Sequence, residues 1–239
     1  TTEKYTISIP NATSWNAGTY TILSVEDANG GGNIYGDPVD VTVNATPGDY
    51  SMTAGSLDLC DGETTAIGLA DSDNGVEYEL LLDGNLVQTA TGDGSAFTFG
   101  QYGIEGLYEV RAINGGCELL LSDQINLAVH RIPDPQPLAD PDTVCYDGGN
   151  QVTVLEANDV TGAGTSFSWT PTTDLDSPGN ANTGYTPTKN PEKVSVTKTY
   201  DVEVESDYGC IGTGSIDVEL YRRPVTGNQY HVPNNFDQN

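Results

Sequence analysis

Alternation with a period of two, interrupted by turn-forming residues, constrains this chain more than any other feature of its sequence. Tyr5, Ile7 and Ile9 form one such set, followed by Tyr20 and Ile22, then Val39, Val41 and Val43. The pattern returns at Tyr108, Val110 and Ala112, at Ile125, Leu127 and Val129, and at Val152 and Val154. It appears again at Tyr200, Val202 and Val204 and at Ile216, Val218 and Leu220. Successive side chains of a strand point to opposite faces, so each set reads as the buried face of a half-exposed strand. Gly, Pro, Asn and Asp stand between the sets, and no long stretch repeats apolar residues at helical spacing. Asp83-Gly84, flanked by Leu80, Leu81 and Leu82 and by Leu86 and Val87, predicts a two-residue hairpin, because Asp-Gly readily takes the two positive φ angles of such a turn. The chain is expected to be all-β.

The strands recur as a unit. Residues 18–22 are followed after a turn by 37–41, residues 106–110 by 123–127, and residues 198–202 by 214–218. Each pair is a Tyr-led strand, a Gly-rich turn and a last alternating strand. The unit ends near Val43, Val129 and Leu220 lie roughly 90 residues apart, the size of one β-sandwich domain. Residues 1–46 therefore read as the back half of a sandwich, 47–133 and 134–224 as complete sandwiches, and 225–239 as an extended tail. Either the chain starts within a domain or another segment completes the first sheet. Residues 44–47, 131–137 and 222–224 read as linkers, the second a semi-rigid spacer because of its prolines.

Charge removes one class of partner. Against 35 acidic residues stand 8 basic ones, a formal net charge of -27. Nucleic acid needs clustered Lys and Arg to displace its counterions, so it is not a partner, and an anionic membrane is disfavoured for the same reason. An acidic surface instead confers solubility and offers carboxylates to divalent cations.

Cys60, Cys117, Cys145 and Cys210 contain no Cys-x-x-Cys pair, and His130 and His231 lie far from most of them. A zinc site is not expected. An even number at wide spacing predicts two disulfides and an oxidising compartment. Cys60 and Cys145 come early in their repeats, each followed by an Asp and a Gly, whereas Cys117 and Cys210 follow Tyr108 and Tyr200 by nine and ten residues. The expected bridges are therefore Cys60–Cys117 and Cys145–Cys210, one in each repeat. The first repeat has Gly30-Gly31-Gly32 where a cysteine would fall, and no bridge.

No catalytic constellation is legible. A nucleophilic triad needs a base held by a carboxylate, and both histidines lie in apparent linkers. Paired carboxylates of a glycosidase can be neither located nor argued among so many acids. The chain is expected not to be an enzyme. Calcium is the cofactor considered. Residues 71–75 alternate acids but place Gly75 one position too early for an EF-hand loop, so they read as a turn. Asp134, Asp140 and Asp142 cluster at the junction of the last two repeats and are candidate calcium ligands. Trp15 and Trp169 read as core or edge aromatics, with sugar stacking as the alternative. Asn11-Ala12-Thr13 and Asn44-Ala45-Thr46 are formal N-glycosylation sequons, without meaning in a bacterial protein.

Residues 167–171 (Phe-Ser-Trp-Thr-Pro), 199–204 (Thr-Tyr-Asp-Val-Glu-Val) and Gly209-Cys210 resemble the PKD-like immunoglobulin repeats of giant Bacteroidota surface proteins. Residues 76–80, Asp83-Gly84, Tyr108 and 115–117 resemble a sister repeat. Residues 16–20 (Asn-Ala-Gly-Thr-Tyr) are similar to the tyrosine corner of immunoglobulin domains, with Asn16 where Asp is usual. The tail, with Arg222-Arg223-Pro224 and His231-Val232-Pro233-Asn234, resembles the approach to the C-terminal sorting domain of SprB-type gliding-motility adhesins. The resemblance implies tandem immunoglobulin-like (PKD-like) β-sandwiches and export by type IX secretion. It further implies outer-membrane anchoring partners for the tail, an extracellular position on the cell surface, and a stalk role in adhesion. A surface polysaccharide or other adhesion ligand would be bound elsewhere in the parent chain. Asp142-Thr143-Val144 matches the short O-glycosylation motif of exported Bacteroidota proteins, with Thr143 as acceptor. The alternative function is a carbohydrate-binding or spacer module of a secreted polysaccharide-degrading enzyme.

Overall fold

A computed structural model describes residues 6–32, 36–148 and 152–223. The tail at 225–239 and His231 lie outside the described residues. Contacts divide the chain into two compact units, Thr1–Leu59 with Glu63–Ala128 and Cys60–Gly62 with Val129–Asn239.

The first unit opens with a small segment. Its strands are β1 (Gly18–Tyr20), β2 (Glu26–Asp27), β3 (Gly30–Gly31) and β4 (Val39–Val41). β1 pairs antiparallel with β4, and β2 with β3. A sandwich follows, built from β5 (Met52–Ala54), β6 (Asp58–Cys60), β7 (Thr65–Leu69), β8 (Glu77–Leu82) and β9 (Asn85–Thr91). It is completed by β10 (Phe97–Tyr102), β11 (Gly106–Asn114), β12 (Cys117–Leu120) and β13 (Ile125–His130), although Cys60 of β6 and Val129 and His130 of β13 group with the second unit. One sheet runs β10-β7-β5 and the other β6-β13-β11-β8-β9, with β12 folded back on β11. The β8–β9 hairpin turns at Asp83-Gly84 with φ of 48° and 76°, as the sequence predicts. Between the sheets, Met52, Ile67 and Leu69 meet Tyr78, Leu80, Tyr108, Val110 and Ala112. The ring of Tyr102 approaches that of Tyr108 at 5.6 Å. Complete burial of each of the larger aliphatic side chains among them contributes about 1.5–3 kcal/mol.

The second unit repeats the plan with β14 (Pro135–Asp140), β15 (Thr143–Cys145), β16 (Thr153–Asp159) and β17 (Gly164–Thr170). Its remaining strands are β18 (Asn182–Tyr185), β19 (Ser195–Ser206) and β20 (Ile211–Tyr221). One sheet runs β14-β16-β18, the other β15-β20-β19-β17, with β15 parallel to β20. Trp169 is the largest core side chain; it is fully buried and donates its indole N–H to the Asn180 carbonyl at 3.0 Å. Leu155, Tyr185, Tyr200, Val202, Val204 and Val218 surround the same core. Two packed sheets with crossing connections, each burying alternate residues, make both sandwiches immunoglobulin-like.

Two sequence expectations change. Val152 and Val154 are exposed, and β16 buries Thr153, Leu155 and Ala157 instead. The strand is shifted by one residue, which exchanges its faces; Thr153 is admitted to the interior because its hydroxyl donates to the Pro141 carbonyl. The Pro-rich stretch read as a spacer is also ordered strand: Pro135 and Pro137 belong to β14. The carbonyls of Pro133 and Pro135 lie so close over Gly212 and Gly214 of β20 that neither glycine has room for a Cβ.

Candidate interaction surface

The small N-terminal segment places an apolar surface in solvent. Tyr20 donates its hydroxyl to the Asn16 carbonyl at 2.9 Å, and Tyr108 makes the same bond to Ile104 at 2.9 Å. Four residues separate donor and acceptor in each, so both are tyrosine corners. Their surroundings differ: Tyr108 is fully buried, whereas Tyr20 is 40% exposed. Opposite it on β4, Val39 is 60% exposed. Together with Ile7, Ile9, Ile22 and Val41 these side chains line an open groove of about 510 Å³. Clustered apolar groups of this kind mark a surface that another element covers. Trp15, on the 3-10 turn Ser14–Asn16, is 94% exposed and stands ready for contact rather than in a core.

The end of this segment is fastened to the adjoining sandwich within the first unit. The Asn44 side chain donates to the Gly115 carbonyl at 2.9 Å, and the Asn114 side chain donates to the Ala45 carbonyl at 2.9 Å. Cys117 starts β12 at this contact, its sulfur 3.7 Å from the Asn44 carbonyl. The sequence marks Tyr20, Ile22, Val39 and Val41 as an alternating apolar face, whereas the contact of Cys117 with Asn44 is not legible there, because Cys117 reads as half of a bridge inside its own repeat.

The expected pairing is overturned. Cys60 is bonded to Cys210, 150 residues away in sequence, with a Cα–Cα distance of 5.6 Å, so neither Cys60–Cys117 nor Cys145–Cys210 forms. Cys117 and Cys145 are thiols, the first partly buried and the second exposed. Equivalent positions in successive repeats are thus not joined within a repeat; an early cysteine meets the late cysteine of the next one. A disulfide-bonded immunoglobulin-like protein belongs in an oxidising, extracellular or cell-surface setting.

The other candidate residues have identifiable places. His130 ends β13, where its ring stacks on Tyr208 at 3.4 Å. Asp73 accepts bonds from the Gly48 N–H at 2.7 Å and the Tyr50 hydroxyl at 2.8 Å. These donors hold its carboxyl below the usual range, and the Asp73 bond in turn pushes the Tyr50 hydroxyl up to about 12. Residues 71–75 therefore form a turn, as expected, with Gly75 at φ 81°. Asp134, Asp140 and Asp142 are not brought together. Asp134 precedes β14 and Asp140 ends it, a separation of roughly 20 Å at the rise of an extended strand. No group of three or more acidic, His or Cys side chains converges on a metal-sized site among the described residues. Thr143 begins β15 with its side chain exposed, donating to Asp142 at 3.2 Å.

No protein-family profile matches the sequence, and no characterised protein matches it as a relative. Among solved structures, the chain is similar to the titin domains I67–I69 at 13% identity and a TM-score of 0.46, over 89% of this chain and 77% of that one. It is also similar to the ectodomain of mouse nectin-like molecule 4 at 13% identity and TM-score 0.34, over 79% and 69% of the two chains. Fibronectin(III)-like modules of Clostridium thermocellum CbhA match at 15% identity and TM-score 0.34, over 72% and 94%. The immunoglobulin-like assignment rests on strand order and core, independently of these likenesses.

Proposed function

We propose that this chain is a repeat region in the stalk of a large secreted cell-surface adhesin, with its ligand bound elsewhere in the parent protein. The observation that carries this reading is the construction of one sandwich twice, with the tyrosine corner of the first sandwich at Tyr108 repeated at Tyr20 in front of them. Repeated disulfide-linked sandwiches give length and resistance to proteolysis, and a net charge of -27 keeps neighbouring stalks apart. The finer reading is a gliding-motility adhesin exported by type IX secretion and held at the outer membrane through residues 225–239. It is motivated by the sequence resemblance of the tail.

The test is deletion of residues 47–224 from the parent protein in cells. Retained ligand specificity with lost reach or surface attachment is the expected result. Hydrolysis of a glycan or peptide by the isolated chain, abolished by a single carboxylate substitution, would overturn the reading.

A further inference from the structure

The two cysteines outside the bridge occupy the same positions as the two within it. Cys60 ends β6, a short strand paired with the last strand of its repeat, and the next residue, Asp61, donates its N–H to the His130 carbonyl at 2.9 Å. Cys145 ends β15, a short strand paired with β20, and the next residue, Tyr146, donates its N–H to the Tyr221 carbonyl at 2.9 Å. These are early cysteines set beside the end of a last strand. Cys210 lies in the β19–β20 hairpin, its sulfur 3.9 Å from the carbonyl of His130, which ends β13. Cys117 lies at the β11–β12 hairpin, its sulfur 3.7 Å from the carbonyl of Asn44, just beyond β4. These are late cysteines laid against the end of the preceding repeat.

We propose that Cys117 and Cys145 are two halves of the same inter-repeat bridge that Cys60 and Cys210 complete. Cys117 takes the early cysteine of the repeat whose last strand is β4, and Cys145 takes the late, hairpin cysteine of a repeat that follows. The sequence has no cysteine before Cys60, so the partner of Cys117 is carried by another repeat of this kind. That repeat either lies N-terminal to Thr1 on a longer chain or belongs to a second copy, which would supply its Cys145. The apolar groove around Tyr20 independently points to the same missing element, because in the following repeat the front strands β5, β7 and β10 cover the corresponding face and β6 carries the early cysteine. The reaction joins two thiols into one S–S bond. Their two electrons and two protons pass to the disulfide of a thiol–disulfide oxidoreductase or of oxidised glutathione, which leaves as two thiols. The inference does not depend on the adhesin reading.

The full-length protein, taken from its surface location, is alkylated with iodoacetamide and digested without reduction. Cys117 is expected to resist alkylation as fully as Cys60 and Cys210, and to appear in a cross-linked peptide with an early-strand cysteine. Alkylated Cys117, or Cys117 bonded to Cys60 or Cys210, overturns the proposal. In parallel, the 239-residue chain is oxidised in a glutathione buffer. A ladder of disulfide-linked oligomers that Cys145→Ser or Cys117→Ser reduces to monomers assigns the source to a second copy. Monomers here, with Cys117 protected in the full-length protein, support the proposal and assign the source to the same chain.

Discussion

Tyr20 and Tyr108 hold the same hydrogen bond to the carbonyl four residues back, yet one stands 40% exposed and the other is sealed in a core. The corner itself is therefore local. It closes wherever the short sequence around the tyrosine permits, whether or not a second sheet lies above it. Burial is not local, because it is supplied by strands as distant in sequence as β5 and β7. Tyr200 marks a third solution: it is buried like Tyr108, but its hydroxyl donates to the Thr173 carbonyl at 3.1 Å.

The contrast breaks most sharply where covalent support enters. Closing a loop across 150 residues implies at most about 5 kcal/mol in the chain-entropy account. Reduction should lower the unfolding transition of the second unit, read from Trp169 fluorescence, and leave the Tyr20 corner untouched. An unchanged transition would show that the bridge is not supporting that unit. Next comes the core itself. Tyr108→Ala should cost about 4 kcal/mol and Tyr20→Ala under about 1 kcal/mol, measured as urea midpoints by circular dichroism. Equal costs would mean that the groove is covered in solution.

A pH experiment sharpens the comparison further. Burial raises the hydroxyls of Tyr78, Tyr108 and Tyr200, and pushes Tyr185 up to about 12. An unfolded tyrosine ionises near pH 10, so the folded state binds protons that the unfolded state has lost. The stabilisation is complete below about pH 10 and disappears as pH rises through the folded values. Phenolate absorbance should therefore appear together with unfolding rather than before it. The smallest effects separate the hydroxyls. Tyr108→Phe loses the bond to Ile104 and should cost about 1 kcal/mol. Tyr185→Phe removes a buried hydroxyl that has no partner among the described residues, so it should be neutral or stabilising by about 1 kcal/mol. Calorimetry of the two variants would decide the sign.

Local rules made much of the fold legible. Asp83-Gly84 named its hairpin, and the alternation at Tyr108, at Ile125 and at Tyr200 named the buried faces. Where a decision depended on distant chain, sequence was not enough. Val152 and Val154 alternate as well as Leu155 and Ala157 do, and only the pairing of β16 with β14 and β18 selects the inward face. The cysteines failed for a related reason. Matching positions in two repeats suggested a bond inside each, but a repeat of period one domain can equally be joined from one copy to the next. The groove residues carried the pattern of a buried face, and the short first repeat left open what completes its sheet.

The prolines of β14 have a consequence for how such sandwiches coexist. β14 is the outer strand of its sheet, and an outer strand ordinarily offers a row of N–H and C=O groups to any passing chain. Pro135 and Pro137 have no N–H to offer, and their rings lie against Gly212 and Gly214 of β20, so that margin is both poor in donors and covered. Covalently tethered copies meet one another at high effective concentration, where pairing between neighbouring margins is the common route to misassembly. A donor-poor, covered margin lets neighbouring sandwiches on one chain fold without pairing at that edge.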